Sequence, residues 1–116
     1  MKKTIKKLDK QVVQALTIAC EQCKQDVLGF DWLTHTADYS NFPGSLVVRC
    51  VFDTDQSLHL AKETEQTVLL IKRIHGALLK SGFLLKHPKK HVIFDTEEAC
   101  TREHQGDWNR RLDYAH

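Results

Sequence analysis

Two short segments of this chain are spelled almost alike: Phe52-Asp53-Thr54-Asp55-Gln56 and Phe94-Asp95-Thr96-Glu97-Glu98. In each, an apolar run ends on Phe, an Asp follows, and Gln or Glu stands three residues beyond that Asp. This is the spacing with which an N-cap side chain and its third-position partner satisfy the free N–H groups of a helix start. Both segments therefore predict a strand that turns straight into a helix, capped by Asp53 in one case and by Asp95 in the other. The remaining elements have to be fitted around these two turns.

Apolar spacing supplies those elements. Leu8, Val12, Leu16, Cys20, Cys23 and Val27 recur at intervals of three and four, which predicts an amphipathic helix ending near Gly29. Trp32 to Tyr39 is rich in β-prone side chains, and Leu46, Val48, Cys50 and Phe52 alternate along Ser45 to Phe52. These two strands form a hairpin around Asn41-Phe42-Pro43-Gly44, where Pro-Gly is turn chemistry. Gln56 to Lys80 predicts a second, longer helix with Leu60, Thr67, Leu70, Ile71, Ile74 and Leu78 toward the core and Gly82 as its stop. Polar residues crowd that stripe between Lys62 and Gln66, which leaves a break there open. Val92 to Phe94 is a short third strand, and Thr96 to about His104 a last short helix. The expected class is α+β in the order αββαβα: a three-stranded sheet with a β-hairpin and a crossover helix, the helices packed on the sheet.

That topology sorts the charges. A crossover through the second helix makes the third strand parallel to the second, so both Asp-Thr turns lie at one edge. Asp53, Asp55, Asp95, Glu97 and Glu98 gather there. The opposite edge collects Lys2, Lys3, Lys6, Lys7 and Lys10 from the first helix, Lys80 from the second, and Lys86, Lys89 and Lys90 from the loop before the third strand. Tyr39, Asn41 and Phe42 of the hairpin tip join them. A formal net charge of only +2 thus conceals a dipolar molecule.

The 116 residues are read as one domain, 1–116, with loose termini at about 1–6 and 106–116 and with Trp108 folded back on the body. A hydrophobic share of 41% and a charged share of 28%, with few Gly and Pro, argue for a packed core rather than disorder. No apolar run approaches the roughly 20 residues of a membrane helix, and no signal-peptide apolar block follows the first lysines. The expected place is the cytoplasm, with no membrane association. Four cysteines in such a compartment are thiols.

Several constellations bear on chemistry. Cys20-x-x-Cys23 with Cys100-x-x-x-His104 has the residue types of a zinc set, although the first pair sits on the apolar stripe of a helix and is explained there as core. The acidic edge has the oxygen ligands that magnesium takes, although capping explains Asp53 and Asp95 without an ion. Seven histidines are scattered, and no Walker loop, dinucleotide fingerprint or nucleophile elbow is present. An enzyme is therefore not expected, and neither is a cofactor; a metal-dependent enzyme is the remotest alternative. Lys3, Lys6, Lys7, Lys10, Lys86, Lys89 and Lys90 with Tyr39 and Phe42 are candidate contacts for phosphates and stacked bases, or for another anion. Val68, Leu69 and Leu79 fall off the core stripe of the second helix, and Val47 and Val51 face away from it on the second strand. These five are candidate contacts of a two-fold homodimer.

Trp32-Leu33-Thr34-His35-Thr36, Asn41-Phe42-Pro43, Val51-Phe52-Asp53-Thr54, and Asp95-Thr96-Glu97-Glu98 leading to Arg102-Glu103-His104 form a pattern along nearly the whole chain. In it the chain resembles an uncharacterised family of small bacterial proteins, some labelled Fis-family transcriptional regulators. The helix-turn-helix which that label implies finds no counterpart, since Thr101 to His116 has neither its length nor its apolar pattern. No functional residue carries over.

Together these observations predict a non-enzymatic cytosolic interaction or regulatory module, homodimeric, with nucleic-acid association through the cationic edge as the alternative. Its partners are a second copy, nucleic acid or an acidic protein.

Overall fold

A computed structural model describes residues 2–114 of the chain, with side chains described from 5 to 113. Helix α1 (Lys2–Asp26) buries Val12, Ala15, Leu16, Ala19 and Cys23 along one stripe, as their three-and-four spacing requires. Strands β1 (Phe30–Thr36) and β2 (Val47–Phe52) pair antiparallel, and β3 (Val92–Thr96) lies parallel to β2, giving the sheet order β1-β2-β3. Between β2 and β3 run α2 (Asp55–Glu63), α3 (Gln66–Lys80) and a single 3₁₀ turn, Pro88–His91. Helices α4 (Glu97–His104) and α5 (Trp108–Tyr114) close the chain. The predicted α+β class and element order hold, with the second helix divided and a further helix added at the end.

The division falls where polar residues interrupt the stripe. Thr64 ends α2, its amide returning to the Leu60 carbonyl, and Glu65 adopts a left-handed φ of 61° before α3 starts. The turn resets the helical phase. Ala61 is buried in α2, whereas Leu60, expected in the core, is 47% exposed; Leu70, Ile74 and Leu78 of α3 are buried as expected.

One sheet face carries the core. Val48, Cys50 and Phe52 of β2 and Val92 and Phe94 of β3 meet α1 and α3 on this side. A β-bulge at Asp31 separates Phe30, paired with Phe52 on the core face, from Trp32, paired with Val51 on the other. The second face receives α5. Trp108 stands edge-on to Trp32 at 4.8 Å between ring centroids, and both indole N–H groups donate to Glu97 Oε1, at 2.7 and 2.9 Å. Arg111 grips Asp95 through two bonds of 2.7 Å, and Arg49 of β2 donates to the same carboxylate at 2.6 Å. Residues 108–114, read from the sequence as part of a loose tail, are thus a helix pinned by its Trp and Arg. At the other end α1 already starts at Lys2, within the stretch of about 1–6 read as loose. Residues 1, 115 and 116 lie outside the described residues.

The twin turns are helix starts, but their caps are threonines. Thr54 accepts from the Ser57 amide and Thr96 from the Ala99 amide, each a third-position N–H. Asp53 and Asp95 stand one residue earlier and accept the amides of Thr54 and Thr96. In both turns the Asp carboxylate closes back on the next amide, which leaves the hydroxyl one residue later to meet the helix; the carboxylate of Asp95 also takes two arginines. Because Phe52 and Thr96 are register partners, the two turns interlock. Thr96 donates its hydroxyl to Asp55, Glu98 accepts the Asp55 amide, and the Glu98 amide donates to the Asp53 carbonyl.

Candidate binding groove

The opposite end of the sheet is assembled from three segments that are far apart in sequence. Helix α3 ends in a Schellman turn: Gly82 at φ +91° donates its amide to Leu79, and Phe83 donates to Leu78. This reverses the chain and lays Phe83 against Phe42, edge to face at 5.1 Å between ring centroids. Phe42 in turn packs on Tyr39 at 5.1 Å, and the Tyr39 hydroxyl donates to Asp9 of α1 at 2.6 Å. An aromatic ladder therefore ties the start of α1, the hairpin loop and the loop after α3 into one surface. That hydrogen bond, ahead of the others, holds the Asp9 carboxyl below its usual range, while burial first and then the Asp9 contact push the Tyr39 phenol up.

Beyond Phe83 the chain alternates its exposure. Leu85 is buried, its amide donated to His75 Nε2 at 3.3 Å, which fixes His75 with its proton on Nδ1. Leu84 points outward and is 60% exposed. The 3₁₀ turn that Pro88 starts brings the chain back to β3, and His91 Nδ1 donates to the Leu46 carbonyl at 2.7 Å. Between this loop and the hairpin loop lies a groove of about 470 Å³. Pro43, Leu46, Val47, Leu84 and Leu85 supply its apolar wall, and Lys86, His87, Lys90 and His91 its basic rim. Among the described residues no carboxylate lines it, and none occurs in the sequence from Ser81 to Phe94. On the far side of the same loop, Val68, Ile71 and His75 form a smaller hollow of about 220 Å³, edged by Lys72, Pro88 and Lys89.

The predicted basic residues thus divide. Lys86, Lys89 and Lys90 are exposed around the groove and its neighbour, and Lys6, Lys7 and Lys10 are exposed on the first turns of α1. The side chain of Lys3 lies outside the described residues. Tyr39 and Phe42 do not offer free faces for base stacking, because both are half-buried in the ladder. Leu84, Leu85 and His91 were absent from the sequence-derived set; the signal for the first two was an apolar pair stranded in a lysine-rich loop.

The candidate dimer residues divide as well. Val51 is 0% exposed, lying between Trp32 and Asp95 across the ladder beneath α5, and Leu69 packs against the core. Its own chain covers Val51, which is therefore not offered to a second copy, whereas Leu69 is half-buried. Val68 and Leu79 stay exposed on α3, and Val47 lines the groove.

The zinc set is not brought together. Cys20 and Cys23 lie on α1 over the core face, with Cys20 at the backbone of Leu33 on β1 and Cys23 beside Arg73. Cys100 and His104 belong to α4, where His104 meets Arg111. No three potential ligands cluster among the described residues. Burial, the largest influence at each, raises all four thiols. At the acidic end Asp95 is 6% exposed; burial pushes its carboxyl up, but Arg111 and the Thr96 amide outweigh this and hold it below its usual range. Asp55 is lowered by the Thr96 hydroxyl and then by Arg102. The carboxylates there are thus largely answered within the chain, whereas the lysines of the groove are not answered by any acid in its lining.

No family model, curated protein or solved structure matches this chain.

Proposed function

We propose that this chain is a non-enzymatic interaction module that recognises an acidic partner protein at the basic end of its sheet. The observation that carries the reading is the run Lys86-His87-Pro88-Lys89-Lys90-His91, held in a fixed turn around a groove with no carboxylate in its lining. A rim of one sign on a low-dielectric surface steers and holds the opposite charge. Nucleic acid is the second reading, since phosphates satisfy the same lysines. An acidic protein is preferred because the rings that would stack bases, Tyr39 and Phe42, are engaged with Asp9 and Phe83. A cytosolic site of action, expected from the sequence, belongs to the same reading. No described helix is long and apolar enough to cross a membrane. Self-association, expected from the sequence, keeps Val68, Leu79 and Val47 as its accessible residues.

Fluorescence anisotropy tests the reading with two labelled probes of equal net charge, a Glu-rich peptide with a central Leu and a single-stranded oligonucleotide. The peptide is expected to bind, and to weaken about tenfold or more in the Lys86→Glu, Lys89→Glu, Lys90→Glu triple variant and steeply with salt. Tighter binding of the oligonucleotide, lost in the same variant, moves the assignment to nucleic acid. No binding of either probe removes both readings, and light scattering of the same samples reports self-association.

A further inference from the structure

A rim of lysines suffices to attract an acidic chain, yet this end of the molecule also displays an apolar floor. Leu84 stands 60% exposed beside the buried Leu85 and two residues before Lys86. Pro43, Leu46 and Val47 face it across the groove. The volume of about 470 Å³ falls in the usual range for ligand sites, about 300–1,000 Å³. The groove is also held open by specific bonds: the Schellman turn aims Phe83 into the ladder, the Leu85 amide is fixed on His75, and His91 is fixed on the Leu46 carbonyl. An apolar floor between two fixed walls gives a bound chain a place to bury a side chain, and the basic rim requires that chain to be acidic on both sides of it.

Resting on the proposed function, we infer that the groove is an anchor site. One aliphatic or aromatic side chain of an acidic segment enters between Leu84 and Val47, while carboxylates flanking it pair with Lys86 and Lys90. Charge complementarity selects this occupant over a second copy of the chain. At the acidic end of a second copy Asp95 is ion-paired with Arg49 and Arg111, Asp55 with Arg102, and Glu97 accepts from two indoles, so much of its negative charge is already engaged.

The test pairs two Glu-rich peptides that differ only in a central Leu or Ser, titrated against the wild type, Leu84→Ser and Leu28→Ser. Leu28 is 83% exposed and lies away from the groove, beside the start of α2. Both replaced leucines are exposed, so both variants are expected to fold, and circular dichroism checks that they do. The Leu peptide is expected to bind the wild type about tenfold tighter than the Ser peptide. Leu84→Ser should abolish most of that preference, and Leu28→Ser should preserve it. Equal affinities for the two peptides, still lost in the triple lysine variant, overturn the anchor while leaving the basic-end reading in place. A preference that survives Leu84→Ser also overturns the anchor, and binding of neither peptide removes the reading on which it rests.

Discussion

At the scale of single residues, Asp95 holds more of the structure together than its place in a short motif suggests. Its carboxylate joins Arg49 of β2 and Arg111 of α5, with all three side chains largely removed from water. Removing it leaves Arg49 without its acid and Arg111 with only its longer bonds to Glu103 and the Ala99 carbonyl, and breaking such a buried set costs about 3 kcal/mol. Asp95→Ala should therefore lower the urea stability by about that amount, whereas Asp53→Ala, which loses one exposed bond to its neighbour's amide, should cost about 1 kcal/mol or less. The folded carboxyls of Asp95 and Asp55 lie below their unfolded values. Their contribution is thus fully present above about pH 4 and is lost as the pH falls through the lower folded values. An acid titration of stability should show that loss in the wild type and a shallower one in Asp95→Asn. None of this was legible in the sequence. The repeated Asp-Thr phrase announced two helix starts correctly, but the cap was assigned to Asp because one-dimensional spacing does not reveal that each Asp carboxylate closes on its neighbour's amide, nor that Arg49 and Arg111 converge on Asp95.

At the scale of elements, the class and order of the elements followed from periodicity, and the displaced boundaries have local causes. Helix α1, strand β2 and the crossover to β3 were legible because their apolar residues keep strict spacing. The early end of β1 was not, because Tyr39 is drawn to Asp9 instead of continuing the ladder. The junction at Glu65 was visible as a polar interruption, though its left-handed backbone was not. Glycine positions offer a direct comparison. At Gly29, with φ +85°, an added Cβ would stand 2.5 Å from the Ser57 Cβ, where the α1–β1 turn meets the start of α2. Gly82 has φ +91° and open space around its missing Cβ. Gly82→Ala should cost about 1 kcal/mol from backbone strain alone. Gly29→Ala should cost clearly more, because the same strain is added to a clash in a packed junction, and thermal denaturation of the two variants orders them. Loss of a helix cap is the third comparison. Thr54→Ala should cost about 1 kcal/mol. Thr96→Ala should exceed it, since that hydroxyl also donates to Asp55 and sits in the buried seam between the twin turns.

For the molecule as a whole, the topology sets one end against the other. The expectation of acidic turns at one edge and lysines at the opposite one rests on parallel β2 and β3, and the register Phe52 to Thr96 and Val48 to Val92 supports it. Seen in three dimensions, the two ends differ in kind as well as in sign. Arg49, Arg102 and Arg111 answer Asp95 and Asp55, while the groove lysines face an apolar wall with no acid among them. Lysine spacing located the basic end, but the groove itself depends on the reversal at Gly82 and on the aromatic ladder, both of which join residues distant in sequence. A shift map of backbone amides, recorded by NMR while the leucine-centred acidic peptide is added, places the binding surface directly. Binding in the groove predicts that the largest shifts fall on Leu46, Val47 and the amides from Leu84 to His91, with little change at Asp55 and Glu98. Shifts centred on the outer face of α1 around Val13 and Ile18, or on the twin turns, would contradict it.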